Sequence, residues 1–291
     1  PLVHHNGPIA MNARNILILF LIMAAATQLL AQEDFSRELA APGNLRFTWI
    51  HGSISAKANT DVRIQVHRYN EHTFILRQNP AIHWEAPFMY LLMGNQQAIL
   101  LDAGATEEEE FFPLRGVIDG ILQSWAHAHR VEIPDLIVMP LGSDQSQTAA
   151  LDQFADRLET NIFAPGSEAR ADVIANQQLD LGGRILSVVP TPGLNDSAIT
   201  IYDPWSDLLF TGNTFYPGRL VIRDFDAYRG SLQRLVQLAQ EEPISHIFGG
   251  RIEMTNRPGL DHRLRSNYRP GEHSLQLEPG LLETALQTVN L

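Results

Sequence analysis

Residues 135–154, DLIVMPLGSDQSQTAALDQF, constrain the fold more than any other stretch of the chain. The apolar run 136–139 has the length of a buried strand. Pro140 and Gly142 interrupt it, and apolar residues return at helical spacing over 149–158. That order reads as strand, polar loop, helix. In open α/β folds, ligands bind at the loops that leave the carboxyl ends of strands, so residues 142–147 are the first place to look for chemistry. The loop holds a single carboxylate, Asp144, and neither histidine nor cysteine.

The segments before it are rich in β-branched, aromatic and aliphatic residues. Residues 62–67, 73–76, 88–93 and 98–101 predict a run of antiparallel strands, with Gly94-Asn95 as the last turn and 47–50 as an edge strand. The fourth strand ends in Asp102-Ala103-Gly104. Thr106 is placed to cap a helix whose first turn carries Glu107 to Glu110, and Leu114, Val117, Ile118, Ile121, Leu122 and Trp125 continue it. His127 and His129, two apart, fall on different helix faces and read as cationic C-terminal residues rather than a metal pair.

Beyond the central stretch come a strand at 161–164, a helix at 169–177 and a hairpin over 179–190 that turns at Gly182-Gly183. Strands at 198–202 and 208–211, a helix at 226–240, a strand at 244–248 and a helix at 281–291 follow. Five loops stand at comparable strand ends: Asp102 to Gly104, Gly142 to Gln147, Pro192 to Leu194, Gly212-Asn213 and Gly250-Arg251. A β-then-α pattern occurring twice, with loops gathered at one edge, predicts an α/β sandwich of sheets covered by helices. No linker divides it, so residues 33–291 are read as a single domain.

The formal charge of −12, from 21 Lys plus Arg against 33 Asp plus Glu with Lys57 the only lysine, argues against a nucleic-acid partner. With no cysteine, disulfides, thiol nucleophiles and cysteine metal sites are excluded. Near the amino end, Arg14 precedes an apolar run at 16–26, and Ala31 stands just before Glu33 and Asp34. This outlines upstream residues plus a secretory signal peptide over 1–31. A secreted or periplasmic location is expected, with no stable membrane span after cleavage, because the run is shorter than the roughly 20 residues a span needs.

Taken in order, Asp102-Ala-Gly-Ala, the 135–154 unit, Thr191-Pro-Gly, Leu209-Phe-Thr-Gly-Asn-Thr and Gly249-Gly-Arg-Ile-Glu-Met resemble the metallo-β-lactamase superfamily over about residues 62–254. Tyr216-Pro-Gly-Arg-Leu220 resembles its hydrolase-like branch in particular. The resemblance implies an αββα sandwich of two mixed β-sheets flanked by helices. It also implies zinc, held by a His-x-His-x-Asp-His loop and later His, Asp and His residues, to activate water.

Alignment on Phe154 sets Gly142, Asp144, Ser146 and Gln147 at the loop ligands. Alignment on Ser143-Asp144 sets Pro140, Gly142 and Gln145 at the histidines instead. Leu194, Asn213 and Arg251 stand at the later ligands. Gly142 and Leu194 offer no lone pair, and Arg251 brings a fixed positive charge, so neither metal nor cofactor is expected.

The pocket is then Asp102, Asp144, Gln147, Asn213, Tyr216, Arg219 and Arg251, with a small anionic ligand as partner and no catalytic residue assigned. Arg251 either pairs with Asp144 in the cation's place, or these groups fill a dead cavity. Tyr216 and Arg219 are placed to hold a ligand anion. The expected function is that of an exported protein that has lost metal-dependent hydrolysis. The alternative is a hydrolase of an ester, lactone, thioester or β-lactam working through another site; no Gly-x-Ser-x-Gly elbow occurs to supply a serine nucleophile.

Overall fold

Strands β3 (Phe88–Met93), β4 (Gln97–Leu101) and β5 (Asp135–Met139) are almost wholly apolar because both of their faces are covered. The computed structural model describes residues 32–36 and 39–290; the signal-peptide reading of 1–31 lies outside them. In the first sheet, β1 (Ile64–Asn70), β2 (Thr73–Gln78), β3 and β4 pair antiparallel, and β5 and β6 (Thr160–Ile162) extend it in parallel.

In the second sheet, β7 (Gln178–Asp180), β8 (Ile185–Pro190), β9 (Ile199–Asp203) and β10 (Leu208–Gly212) pair antiparallel. There β11 (His246–Gly249) runs parallel to β10, and β12 (Gln276–Leu277) closes the edge antiparallel. Among the described residues, each sheet has six strands.

Alternation decides where side chains go. Tyr90, Leu92, Ile99, Leu101, Ile137 and Met139 meet Ile201, Phe210 and Phe248 between the sheets. Their neighbours Met89, Leu91, Leu100, Leu136 and Val138 point the other way, onto α1 (Leu114–His129) through Ile118, Leu122 and Trp125. On the far side, Tyr202, Leu209 and Ile247 meet Leu232 and Leu235 of α4 (Phe225–Glu241) and Leu282 of α5 (Leu281–Val289). Burying each such side chain contributes about 1.5–3 kcal/mol, so three apolar layers hold an αββα sandwich.

The short helix α2 (Gln145–Thr148) follows β5, and α3 (Glu168–Asn176) packs on β7 and β8 with Val173 in the core between the sheets. Across one edge, Phe88 N–H donates to Gly250 O at 2.8 Å and Ile199 N–H to Leu141 O at 2.8 Å, which brings the strand-end loops of the two sheets together.

Three local expectations are corrected. The acidic run 107–110 is loop and turn, and the helix begins only at Leu114, after Pro113. Residues 149–158 form no full helix: α2 is a single turn, followed by a 3-10 turn at Leu151–Phe154. Residues 47–50 form no strand; the amide of Ile50 donates to the side chain of Gln65 instead of to a ladder partner.

Candidate functional site

The site starts at Asp102, where β4 ends in the left-handed region at φ 66°. Its carboxylate accepts the Leu141 N–H at 2.7 Å and the Gln147 Nε2 at 3.1 Å. Complete burial raises its pKa to about 7, against the lowering effect of those two hydrogen bonds. Gln147 turns its other atom, Oε1, towards the second sheet.

There Asn213, just past β10, directs one amide nitrogen at three oxygens: Asp144 Oδ2 at 3.0 Å, Ser146 Oγ at 3.3 Å and Gln147 Oε1 at 3.3 Å. The backbone closes around this group. A Cβ on Gly142 would come within 2.5 Å of Gln147 Oε1, and one on Gly250 within 2.8 Å of Asn213 Oδ1. Buried Arg170 pins the loop from behind by donating to Pro140 O and, at 2.7 Å, to Ser197 O.

A cavity of about 270 Å³ opens in front, lined by Glu85, Asp144, Gln145, Ser146, Leu194, Asn213, Val221, Arg223 and Arg251. Arg251 does not take Asp144 as its partner. Its guanidinium bonds to Glu85, lies 3.7 Å from a Glu253 oxygen, and sits 4.8 Å above the Tyr216 ring. Burial pulls its pKa down, but Tyr216, Glu85 and Glu253 together hold it above the ordinary value.

Tyr216 is buried beneath that cation, and its hydroxyl donates to Arg219 O at 2.5 Å. Arg219 turns away from the cavity to Glu253 at 3.2 Å and Asp261 at 3.3 Å. Of the seven residues read from sequence, Asp144, Asn213 and Arg251 line the cavity, Gln147 and Asp102 form the layer behind it, and Tyr216 and Arg219 brace Arg251 and its neighbour Glu253. Sequence reasoning missed Glu85 and Arg223. Glu85 lies in the loop between β2 and β3 with no motif around it, while Arg223 lies three residues past the Tyr-Pro-Gly-Arg-Leu stretch.

These residues do not fit a zinc ion of the kind the resemblance implies. The focus of the three oxygens is occupied by a hydrogen-bond donor, Leu194 presents no lone pair, and a guanidinium lines the same space. What the arrangement can do is hold a small polar molecule against Asp144 and Arg223.

No family model matches the chain. In structure it is similar to a metallo-β-lactamase from Pontibacter korlensis, at 16% identity and a TM-score of 0.52, covering 78% of this chain and 99% of that one. It is likewise similar to the metallo-β-lactamase FIM-1 from Pseudomonas aeruginosa in its mono-zinc form, at 12% identity and TM-score 0.53, covering 80% and 97%. The DIM-1 metallo-β-lactamase gives 11% and 0.52, covering 80% and 99%. In sequence, 94 residues are 30% identical to the acyl-coenzyme A thioesterase MBLAC2 of Gallus gallus; the match spans 31% of this chain and about a third, 34%, of that relative.

Proposed function

We propose that this chain, which has the metallo-β-lactamase fold, is a small-ligand-binding protein in which metal-dependent hydrolysis has been replaced by a polar cavity. The observation that carries the reading is the Asn213 amide nitrogen at the focus of Asp144, Ser146 and Gln147. That NH2 group fills the point on which the three oxygens converge, so a donor stands where a cation would have to sit. The cavity, about 270 Å³, lies just under the 300–1,000 Å³ usual for ligand pockets, which favours a small molecule.

Arg251 is neutralised by Glu85, so the cationic contact for an anionic group passes to exposed Arg223, with Asp144 facing a donor on the same ligand. Export completes the proposal. It rests on the N-terminal pattern at 11–31 and is checked by sequencing the amino terminus of the mature protein.

Titration calorimetry with small carboxylates, phosphates and amino acids tests the binding role. At least one compound is expected to bind, with affinity falling about tenfold in Arg223→Ala. Failure of every compound, or binding indifferent to Arg223, sinks the reading. The short match to a thioesterase supports a second reading, hydrolysis of a thioester by a metal-free route. Turnover of acyl-thioesters that disappears in Asp144→Ala would establish it in place of the first.

A further inference from the structure

A separate cluster of ligand-type side chains lies at the end of the sandwich opposite the cavity. Glu71 and His72 form the turn between β1 and β2, and α1 ends on His129; one donor atom from each lies within 4.8 Å of the others. His72 O accepts the N–H of Met93, whose strand partner Ala98 stands at the start of β4, whereas Asp102 lies past the end of that strand.

His129 is oriented as a metal ligand is. His129 Nδ1 donates to Trp125 O at 2.8 Å, which fixes the tautomer and leaves the Nε2 lone pair facing a Glu71 oxygen at 4.0 Å. Its ring is stacked on Trp125 with centroids 4.5 Å apart. The His72 ring is buried and held by edge contacts to Phe35, Trp125 and Trp205, with Nε2 3.8 Å from a Glu33 oxygen. The two imidazole centroids are 5.0 Å apart. Glu71, with 68% of its side chain exposed, leaves the cluster open to solvent.

We propose that Glu71, His72 and His129 form a binding site for a divalent transition metal, with Zn²⁺ best suited to two imidazoles and a carboxylate and Glu33 placed to complete the coordination. The ion ties the β1–β2 turn to the end of α1. Glu71 gives up its 3.3 Å pair with Arg68, an exposed contact of little energy.

His72 Nδ1 accepts the Trp125 indole N–H at 3.3 Å, so the His72 proton sits on Nε2 before the metal binds. Coordination through Nε2 moves that proton to Nδ1 and frees the indole N–H. Trp125 therefore reports binding directly.

The test uses the full chain, stripped with chelator and titrated with zinc chloride by calorimetry and by tryptophan fluorescence. One equivalent is expected to bind with a fluorescence change, and Tm is expected to rise by about 5 °C at a hundredfold excess over Kd. Glu71→Gln, on the exposed side of the cluster, and His129→Gln are each expected to weaken binding at least about tenfold. Asp144→Asn, in the cavity at the other end, should leave it unchanged. Absence of binding in the parent chain, unchanged affinity in both cluster variants, or loss on Asp144→Asn would overturn the assignment.

Discussion

Asp102 is a carboxyl that folding drives towards its neutral form: ordinarily near 3.8, its pKa is pushed up to about 7 by burial. The native state therefore binds this proton more tightly than the unfolded chain does. Its contribution to stability is fully present below the unfolded pKa and is lost as pH rises through the folded one. Between about pH 4 and pH 7 it should lower the unfolding free energy by up to about 1.4 kcal/mol per pH unit.

Asp102→Asn keeps an acceptor for the Leu141 N–H and removes the titration. Urea unfolding of the two proteins across that window is expected to give a steeper decline in the parent; parallel curves would show that Asp102 does not titrate there. At this scale the sequence was partly legible. Leu194, Asn213 and Arg251 could be placed in the site because each stands inside a short motif. The partner of Arg251 could not: Glu85 is 166 positions away in a loop with no pattern, and which way the Asn213 amide faces is set only by the three oxygens around it.

Among the elements, α1 shows why helix interiors are easier to read than helix starts. Its apolar spacing was evident, but Thr106 does not cap it, because the helix begins only at Leu114; the Thr106 hydroxyl accepts from Gln78 Nε2 at 2.7 Å instead. Phe112 is wholly buried and holds the acidic run as a turn. The cap comes from outside the helix. Gln153 Oε1 accepts the amides of Leu114 at 3.1 Å and Arg115 at 3.2 Å, while its Nε2 donates to Glu107 O and Phe112 O, both at 2.9 Å.

One side chain thus satisfies two orphan helix donors and two loop carbonyls, which no local motif encodes. Gln153→Ala is expected to cost about 1–2 kcal/mol. It should also accelerate hydrogen exchange at Leu114 and Arg115 more than at the middle of α1. Exchange that stays the same at those two amides would remove Gln153 from the capping role.

For the whole molecule, the two-sheet sandwich was legible because near-continuous apolar strands need cover on both faces, and the loops then fall at one edge. What closes the two ends of the sandwich was not, since it is polar and remote in sequence. At one end the junction is the Asn213 network; at the other it is Arg184, wholly buried beside the Gly182-Gly183 turn that sequence reading took for an ordinary hairpin. Arg184 belongs to the second sheet, where it pairs with Asp203 at 2.6 Å, yet it donates to His72 O at 2.8 Å, Met93 O at 2.9 Å and Thr73 Oγ1 at 2.9 Å in the first. Trp205 lies beneath the guanidinium at 4.7 Å.

Removing the cation alone strands Asp203 with a charge that Ser206 and the Trp205 amide only partly satisfy, and takes a donor away from Met93 O, Thr73 Oγ1 and His72 O, the last of which keeps the Met93 N–H. Arg184→Met is therefore expected to cost about 3–5 kcal/mol, and Arg184→Met with Asp203→Leu to recover part of that loss, because the uncompensated charge goes while the hydrogen bonds to the first sheet stay lost. Urea unfolding of both variants measures the two terms separately. A single variant within about 1 kcal/mol of the parent would mean that water reaches Asp203, and that apolar packing between the sheets, rather than this ion pair, holds that end of the sandwich closed.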